Sequence, residues 1–313
     1  MKYKILISAP YMLPVVENFR SMLEERGCEI IVAEVEERLD AEQLLQLMGD
    51  MDAVICGDDQ FNADVLAVSN RLKVLSKWGT GIDSIDQAAA VARGIAICNV
   101  PNAFSEPVAD TVMGWLLSFA RRIPGQTENM RRGGWEKLSG HALNEATLGV
   151  IGVGNCGKAI IRRARAFGMR LLGNDIVEID SGFIERHGLE MVTLEELLRQ
   201  SDYVSLNCDL NHTSRHIICA ESLDFMPPHA VLLNAARGGL VCEHDLMTAL
   251  REGRIKGAAM DVFENEPLEP DSPLRCMDNV LLSAHNANSS PLAWDRVHRR
   301  TIENMLQVLE QST

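Results

Sequence analysis

At 313 residues, with 46% hydrophobic and 24% charged side chains and no excess of glycine or proline, the chain is composed as a globular protein with room for two domains, which sets aside disordered and fibrous classes. A formal charge of −14 and a pI near 5.0 argue against sequence-independent nucleic-acid binding, which needs Lys and Arg to neutralise phosphates, and point to a small-molecule partner. The eight cysteines show neither CxxC nor zinc-like spacing and read as reduced thiols of a cytoplasmic protein with no metal site; no apolar stretch suits a signal peptide or approaches the ~18 residues of a membrane span.

From residue 3, short aliphatic runs alternate with helical patterns: YKILIS, a helix near 15–26, EIIVAE, a helix near 41–49, DAVICG, a helix near 62–69, LKVLSKW, a helix near 84–93 and IAICNV. Gly27 and Gly94 stand where helices should stop. Such βα alternation implies a parallel sheet with helices on both faces. After a long helix at about 104–121 a second series begins: ATLGVIGVG, a helix from about 155 to 168, MRLLGND, a helix near 193–199, DYVSLN, AVLLNAA, a helix near 243–252, IKGAAMDV and NVLLSAH. The stretch 121–146 is polar and basic, and reads either as a linker or as an arm that packs on a partner subunit. Residues 291–311 have an amphipathic helical period that could fold back on either series.

Gly152, Gly154 and Gly157 form a GxGxxG directly after an apolar strand and before a helix, and Asp175 ends the next strand. In that setting Gly152 permits a tight turn and Gly154 lets the backbone approach a pyrophosphate at the helix N-terminus, while Gly157 lets helix and strand pack closely. A carboxylate at 175 would accept from the adenine-ribose hydroxyls and repel a 2′-phosphate, so the expected cofactor is NAD rather than NADP. Cys156, beside this loop, reads as a small packed hydrophobe rather than a redox group.

Three later strand ends carry chemistry: NAARGGLV delivers Arg237, DVFENEP delivers acidic residues, and LLSAH delivers His285. A planar guanidinium at the carboxyl end of a parallel strand suits a carboxylate, and a histidine beside a carboxylate suits proton transfer near neutral pH. Taken singly, Arg237 reads as a surface ion-pair residue and His285 as a strand-end histidine; their succession on one sheet edge favours a shared site.

The order GxGxxG, NAARGG, DVFENEP and a late histidine resembles the D-isomer-specific 2-hydroxyacid dehydrogenases. The resemblance spans nearly the whole chain, through GTGIDSID at 79–86, SEPVADTVMGWLL at 105–117, DYVSLNCDLNHTSRHII at 202–218 and ARGGLVCEHDL at 236–246. It implies an α/β protein of two doubly wound parallel-sheet domains with a cleft between them: a discontinuous flavodoxin-like substrate domain of residues 1–100 plus 286–313, and a Rossmann dinucleotide-binding domain of 101–285. The implied activity is NAD-dependent hydride transfer between a D-2-hydroxy acid and its 2-keto acid. Arg237 would bind the substrate carboxylate and carbonyl, His285 would be the general acid–base, and Glu266 would pair with it. The amides around Thr80 and Gly81, flanked by Trp78 and Gly79, would hold the carboxylate. Gly152, Gly154, Asn155, Cys156, Gly157, Asp175 and Ala235 would bind the cofactor, with Asp261 on its carboxamide. A homodimer through the dinucleotide domain is the implied assembly. The other reading is an NAD(H)-responsive binding protein of the same fold with little turnover.

The chain departs from the family pattern at Ala284, Asn286 and Asn288 around the histidine. It also has CGDDQFN where phosphoglycerate dehydrogenases carry a basic loop, so Asp58 and Asp59 are expected to disfavour a phosphorylated substrate. Lys77 and Trp78 are candidates for a pocket wall, or else an exposed lysine beside a core tryptophan.

Overall fold

The apolar runs at the centre of each sheet become strands buried on both faces, the environment that tolerates aliphatic residues without alternation. The computed structural model describes residues 2–311. The described chain divides into two compact units, one made of the residues up to Phe104 and from Ser290 onward, the other of Ser105–Ser289.

The first unit contains β1 (Tyr3–Ile7), α1 (Glu17–Glu25), β2 (Cys28–Val32), α2 (Ala41–Leu47), β3 (Ala53–Cys56), α3 (Ala63–Val68), β4 (Val74–Lys77), α4 (Gln87–Ala92) and β5 (Ala96–Cys98). Its parallel sheet has the order β2-β1-β3-β4-β5, the flavodoxin-like arrangement. Period-two alternation sorts the side chains: Ile5, Ile7, Ala53, Ile55 and Val74 pack on one face, while Leu6, Val54, Cys56 and Leu75 pack on the other against α2, α3 and α4. Asp40, Asn62 and Asp86 cap those three helices by accepting from the backbone N–H three residues on.

The second unit contains α5 (Ser105–Ala120), α6 (Ile123–Arg131), β6 (Thr147–Ile151), α7 (Asn155–Ala166), β7 (Arg170–Asn174), α8 (Ser181–His187), β8 (Leu189–Met191), α9 (Leu194–Gln200), β9 (Tyr203–Leu206), α10 (Ala220–Phe225), β10 (Val231–Asn234), α11 (Glu243–Arg251), β11 (Gly257–Met260) and β12 (Val280–Leu282). Its seven strands are parallel in the order β12-β11-β10-β9-β6-β7-β8, with the direction of winding reversing between β6 and β9. Ligands bind outside the carboxyl ends of strands at such a reversal. Leu148, Val150, Leu171 and Leu233 pack against α5 and α7, and Ile151, Leu172, Val204 and Leu232 against α9, α10 and α11.

The C-terminal segment is one helix, α12 (Pro291–Gln311), which completes the first unit rather than the second. Val297, Ile302, Met305 and Leu309 cover the β1, β3 and β4 face, Ser76 Oγ donates to the Thr301 carbonyl at 2.8 Å, and the Tyr3 hydroxyl donates to that of Leu309 at 2.9 Å. The 121–146 stretch is part helix: Arg122, in left-handed conformation at φ 53°, separates α5 from α6, and α6 buries none of its residues. The helices α8 and α10 and the strand β8 go beyond the elements expected from sequence. Among the described residues no helix is long and apolar enough to cross a membrane.

Candidate active site

The loop between β6 and α7 contains three glycines with different reasons for being glycine. Gly152 has φ +89°, and a Cβ there would lie 2.5 Å from Cys208 N and 2.6 Å from Asn207 C. A Cβ on Gly157 would lie 2.1 Å from the Gly152 carbonyl oxygen, so the helix can approach the loop only without a side chain. Gly154 is different: its φ of −74° and ψ of −155° suit any residue, and a Cβ there would meet nothing within 4 Å. The room above it lies at the N-terminus of a twelve-residue helix, where the first backbone N–H groups have no partner in the helix and the dipole favours an anion. Asn155 and Cys156 begin that helix.

Asp175 follows the tip of β7 and is tied to this loop, its Oδ2 accepting from Val153 N at 2.6 Å and its Oδ1 from Val177 N at 3.0 Å. A pyrophosphate over Gly154 and a ribose diol on Asp175 therefore fit the residues present. The Cys156 thiol lies 3.5 Å from Ser105 Oγ, and burial pushes its pKa up. Burial likewise pushes the Cys208 thiol up to about 11. Neither is a thiolate at neutral pH, which agrees with a packing role. Gly154→Val is expected to lower folding stability by only about 1 kcal/mol, because it meets no steric clash and loses only the preference for glycine over valine at the N-cap of α7. It should abolish NADH binding in a fluorescence titration; unchanged binding would show that the space serves nothing.

The strands β10, β11 and β12 are neighbours in the sheet, and each carries one of the expected residues at or beyond its carboxyl end. After β10, the fully buried Asn234 clasps the turn: its Oδ1 accepts from Ala236 N at 3.1 Å and its Nδ2 donates to the Arg237 carbonyl at 2.9 Å. Ala235 and Arg237 are thereby held on a fixed turn, with Arg237 Nη1 donating to the Ala236 carbonyl at 2.8 Å. Asn234 escapes a reading of the sequence because one asparagine at the end of an apolar strand looks like a strand terminator. Next to it, a Cβ on Gly238 would lie 1.9 Å from the Phe263 carbonyl oxygen. The Arg237 turn and the loop after β11 thus touch backbone to backbone.

That second loop holds Glu266, whose Oε1 accepts from Phe263 N at 2.8 Å and whose Oε2 lies 2.9 Å from His285 Nδ1. Both side chains are mostly shielded, at 23% exposed for His285 and 16% for Glu266. A carboxylate on Nδ1 accepts the Nδ1–H hydrogen bond and fixes the ring's orientation and tautomer. His285 itself has φ +48°, a conformation uncommon for a non-glycine residue. Asp261 holds it there. The Asp261 carbonyl accepts from His285 N at 2.7 Å, and its carboxylate accepts from Ser283 Oγ, from Asn286 N at 2.8 Å and from Ala287 N at 2.8 Å. Asp261 is 1% exposed, so three of its acceptor positions serve the histidine loop, and the expected carboxamide contact is left to the remaining position on Oδ2.

In the first unit, Gly79, Thr80 and Gly81 follow β4. Gly79 O accepts from Val100 N at 2.8 Å, Thr80 Oγ1 donates to the Val100 carbonyl at 3.0 Å, and Asn99 Nδ2 donates to the Thr80 carbonyl at 2.5 Å. The loop is fixed through its carbonyls, and the N–H groups of Thr80 and Gly81 donate to no group among the described residues. Two expectations are corrected here. Asp59 does not face a ligand: it is fully buried and accepts from Ser8 Oγ at 2.6 Å, Leu39 N at 2.7 Å and Gly57 N at 3.1 Å. Lys77 is not an exposed lysine; it is buried on β4 and forms an ion pair with Asp58 at 3.0 Å. Trp78 is buried as well, its Nε1 donating to His298 Nδ1 at 2.9 Å.

The sequence pattern of the D-isomer specific 2-hydroxyacid dehydrogenase NAD binding domain matches residues 113–287. A D-3-phosphoglycerate dehydrogenase of Methanocaldococcus jannaschii is 38% identical over 310 residues, covering 98% of this chain and 57% of that protein, so the chain spans a little over half of that relative's length. A glyoxylate reductase of Korarchaeum cryptofilum is 36% identical over 270 residues, 84% of this chain and 81% of the relative. Among solved structures, an NADPH-dependent glyoxylate/hydroxypyruvate reductase of Sinorhizobium meliloti, in complex with NADP and malonate, superposes with a TM-score of 0.84 at 29% identity, covering 97% of this chain and 92% of that one. The chain belongs to the D-isomer specific 2-hydroxyacid dehydrogenases, a family of oxidoreductases, and residues 113–287 match that family's NAD binding domain.

Proposed function

We propose that the protein reduces a 2-keto acid to the D-2-hydroxy acid with NADH, using His285 as the proton donor. The observation that supports this most is the Glu266–His285 pair at 2.9 Å, with Glu266 itself fixed by the Phe263 N–H. When bound, the cofactor supplies the hydride, and negative charge then grows on the substrate's carbonyl oxygen. A protonated His285 gives its Nε2 proton to that oxygen, while Glu266 stabilises the imidazolium and fixes the ring. In the reverse direction neutral His285 takes the hydroxyl proton. Within the second unit Arg237 binds the carboxylate and carbonyl through its planar fork; within the first unit the amides of Thr80 and Gly81 are donors that suit a carboxylate. An oriented proton carrier is unnecessary in a protein that only senses NAD(H), and nothing favours that reading.

Asp175 supports NADH over NADPH, in contrast to the NADPH-dependent Sinorhizobium meliloti relative. The test is NADH absorbance decay with a panel of 2-keto acids, repeated with NADPH. Measurable NADH binding without decay on any substrate would overturn the proposal, and equal rates with NADPH would overturn the role of Asp175.

Asn234 is a positioning residue in this scheme. Asn234→Ala releases both ends of the Arg237 turn, and loss of such buried hydrogen bonds costs about 1–3 kcal/mol. The expected result is a raised KM for the keto acid with a smaller loss of NADH affinity through Ala235 on the same turn, and partial recovery in Asn234→Asp, which keeps the acceptor. Equal losses in both variants would assign Asn234 to stability alone.

The second unit also offers a surface for a second copy. Ile123, Met130 and Trp135 are exposed, Trp135 by 83%, and α6 buries nothing. We assign this surface to a homodimer; a monomeric mass in light scattering would rule it out.

A further inference from the structure

The loop that presents the free Thr80 and Gly81 amides is followed into an unusual concentration of aromatic rings. The chain has four tryptophans and three tyrosines, and two tryptophans and one tyrosine meet here. Tyr11 stacks on Trp78 with ring centroids 4.9 Å apart at 23°. Trp294, in the first turns of α12, lies 5.2 Å from Tyr11 and edge-on to Trp78 at 6.5 Å. Phe104 lies 5.4 Å from Trp78, and a Cβ on Gly79 would touch its ring at 3.7 Å. These residues come from the 3-10 turn after β1, the end of β4, the end of the first unit's N-terminal segment and α12, so four separate parts of the chain converge on one cluster.

The cluster grades from a buried centre to partly covered rings around it. Trp78 is 4% exposed and its indole N–H is spent on His298, which burial keeps neutral by lowering its pKa. Tyr11, Phe104 and Trp294 remain only partly covered. Polar recognition at the neighbouring strand ends is weak by construction. Lys77 is neutralised by Asp58, and Asp59 is turned inward onto Ser8, Leu39 and Gly57. Among the described residues the ends of β3 and β4 therefore offer a second anionic group no cation outside the Lys77–Asp58 pair, whereas the rings offer an apolar group a rigid, partly desolvated wall.

We infer that the preferred substrates are 2-keto acids with a bulky apolar side chain, aromatic before branched aliphatic, and that Tyr11 and Trp294 select them; this rests on the reduction proposed above. The carboxylate sits on the Thr80 and Gly81 amides, and the side chain packs against the partly covered rings of Tyr11 and Trp294. Small or phosphorylated keto acids gain nothing from that wall.

The test is a comparison of kcat/KM with NADH for phenylpyruvate, 4-methyl-2-oxovalerate, glyoxylate and 3-phosphohydroxypyruvate. Phenylpyruvate is expected to exceed glyoxylate at least about tenfold, the order of one ring-on-ring contact with the area it buries. In Trp294→Ala that ratio should fall by about tenfold, and Trp294→Phe, which keeps an aromatic ring on α12, should retain most of it. Glyoxylate or 3-phosphohydroxypyruvate as the best substrate would overturn the inference and leave the reduction standing. Turnover of none of the four, with NADH bound, would overturn both. A Trp294→Ala enzyme whose ratio is unchanged would remove Trp294 from selection.

Discussion

His285→Ala is expected to lower kcat by about 10²–10⁴-fold, the usual contribution of a general acid–base group, while NADH binding stays near that of the parent. The backbone makes alanine an imperfect probe, because residue 285 has φ +48° and a small side chain there adds strain of its own. His285→Asn separates the two effects. Asparagine tolerates the left-handed region better than most residues but carries no exchangeable proton of suitable pKa. Both variants should lose turnover alike, and a melting curve should show the asparagine variant closer to the parent. Turnover within threefold of the parent in either would remove His285 from the chemistry.

Gly238→Ala is expected to be the most damaging single-methyl change in the site. The new Cβ would stand 1.9 Å from the Phe263 carbonyl oxygen, 2.0 Å from its carbonyl carbon and 2.6 Å from Glu264 N. Those are backbone atoms, so relief requires one loop to move. Overpacking of this kind costs about 1–3 kcal/mol, and for a domain of this size each kcal/mol lowers Tm by roughly 2–4 °C. Whichever loop yields, Arg237 or Glu266 is displaced, and a misplacement of about 1 Å can cost on the order of 10² in rate. A melting temperature and kcat/KM both equal to the parent's would show that the two loops are not coupled.

The two sheets were readable in the sequence because fully buried parallel strands are continuous apolar runs, and β1, β3, β6, β9 and β10 are of that kind. The elements that escaped are those where packing, not local pattern, decides. The strand β8 is three residues, LEM, held by pairing with β7. The helix α6 contains Pro124 and Gly125 and has no buried face, so no period announces it. In the site, Gly152, Gly154 and Gly157 stand out as a spaced motif, yet only the fold separates the one that faces open space from the two that face backbone. Asp59 illustrates the opposite failure. Its charge suggested a surface role beside Asp58, but three donors converging from Ser8, Leu39 and Gly57 make it an internal brace, and donors from distant segments leave no trace in a local reading. Asp261 and Asn234 belong to the same class. They support the turns that present His285 and Arg237, and their partners are fixed by the fold.

The placement of α12 on the first sheet also bears on how the chain is made. The face formed by Ile5, Ile7, Ile55 and Val74 is finished only by Val297, Ile302, Met305 and Leu309. At a synthesis rate of about 5–20 residues per second, the N-terminal sheet waits on the order of ten seconds or more between its last strand and its final helix, with an aliphatic face uncovered. The second unit is contiguous in sequence and can close its own core during that interval. Ribosomal timing thus makes the first unit, begun first, the later one to complete its core, with its aliphatic face uncovered for longer.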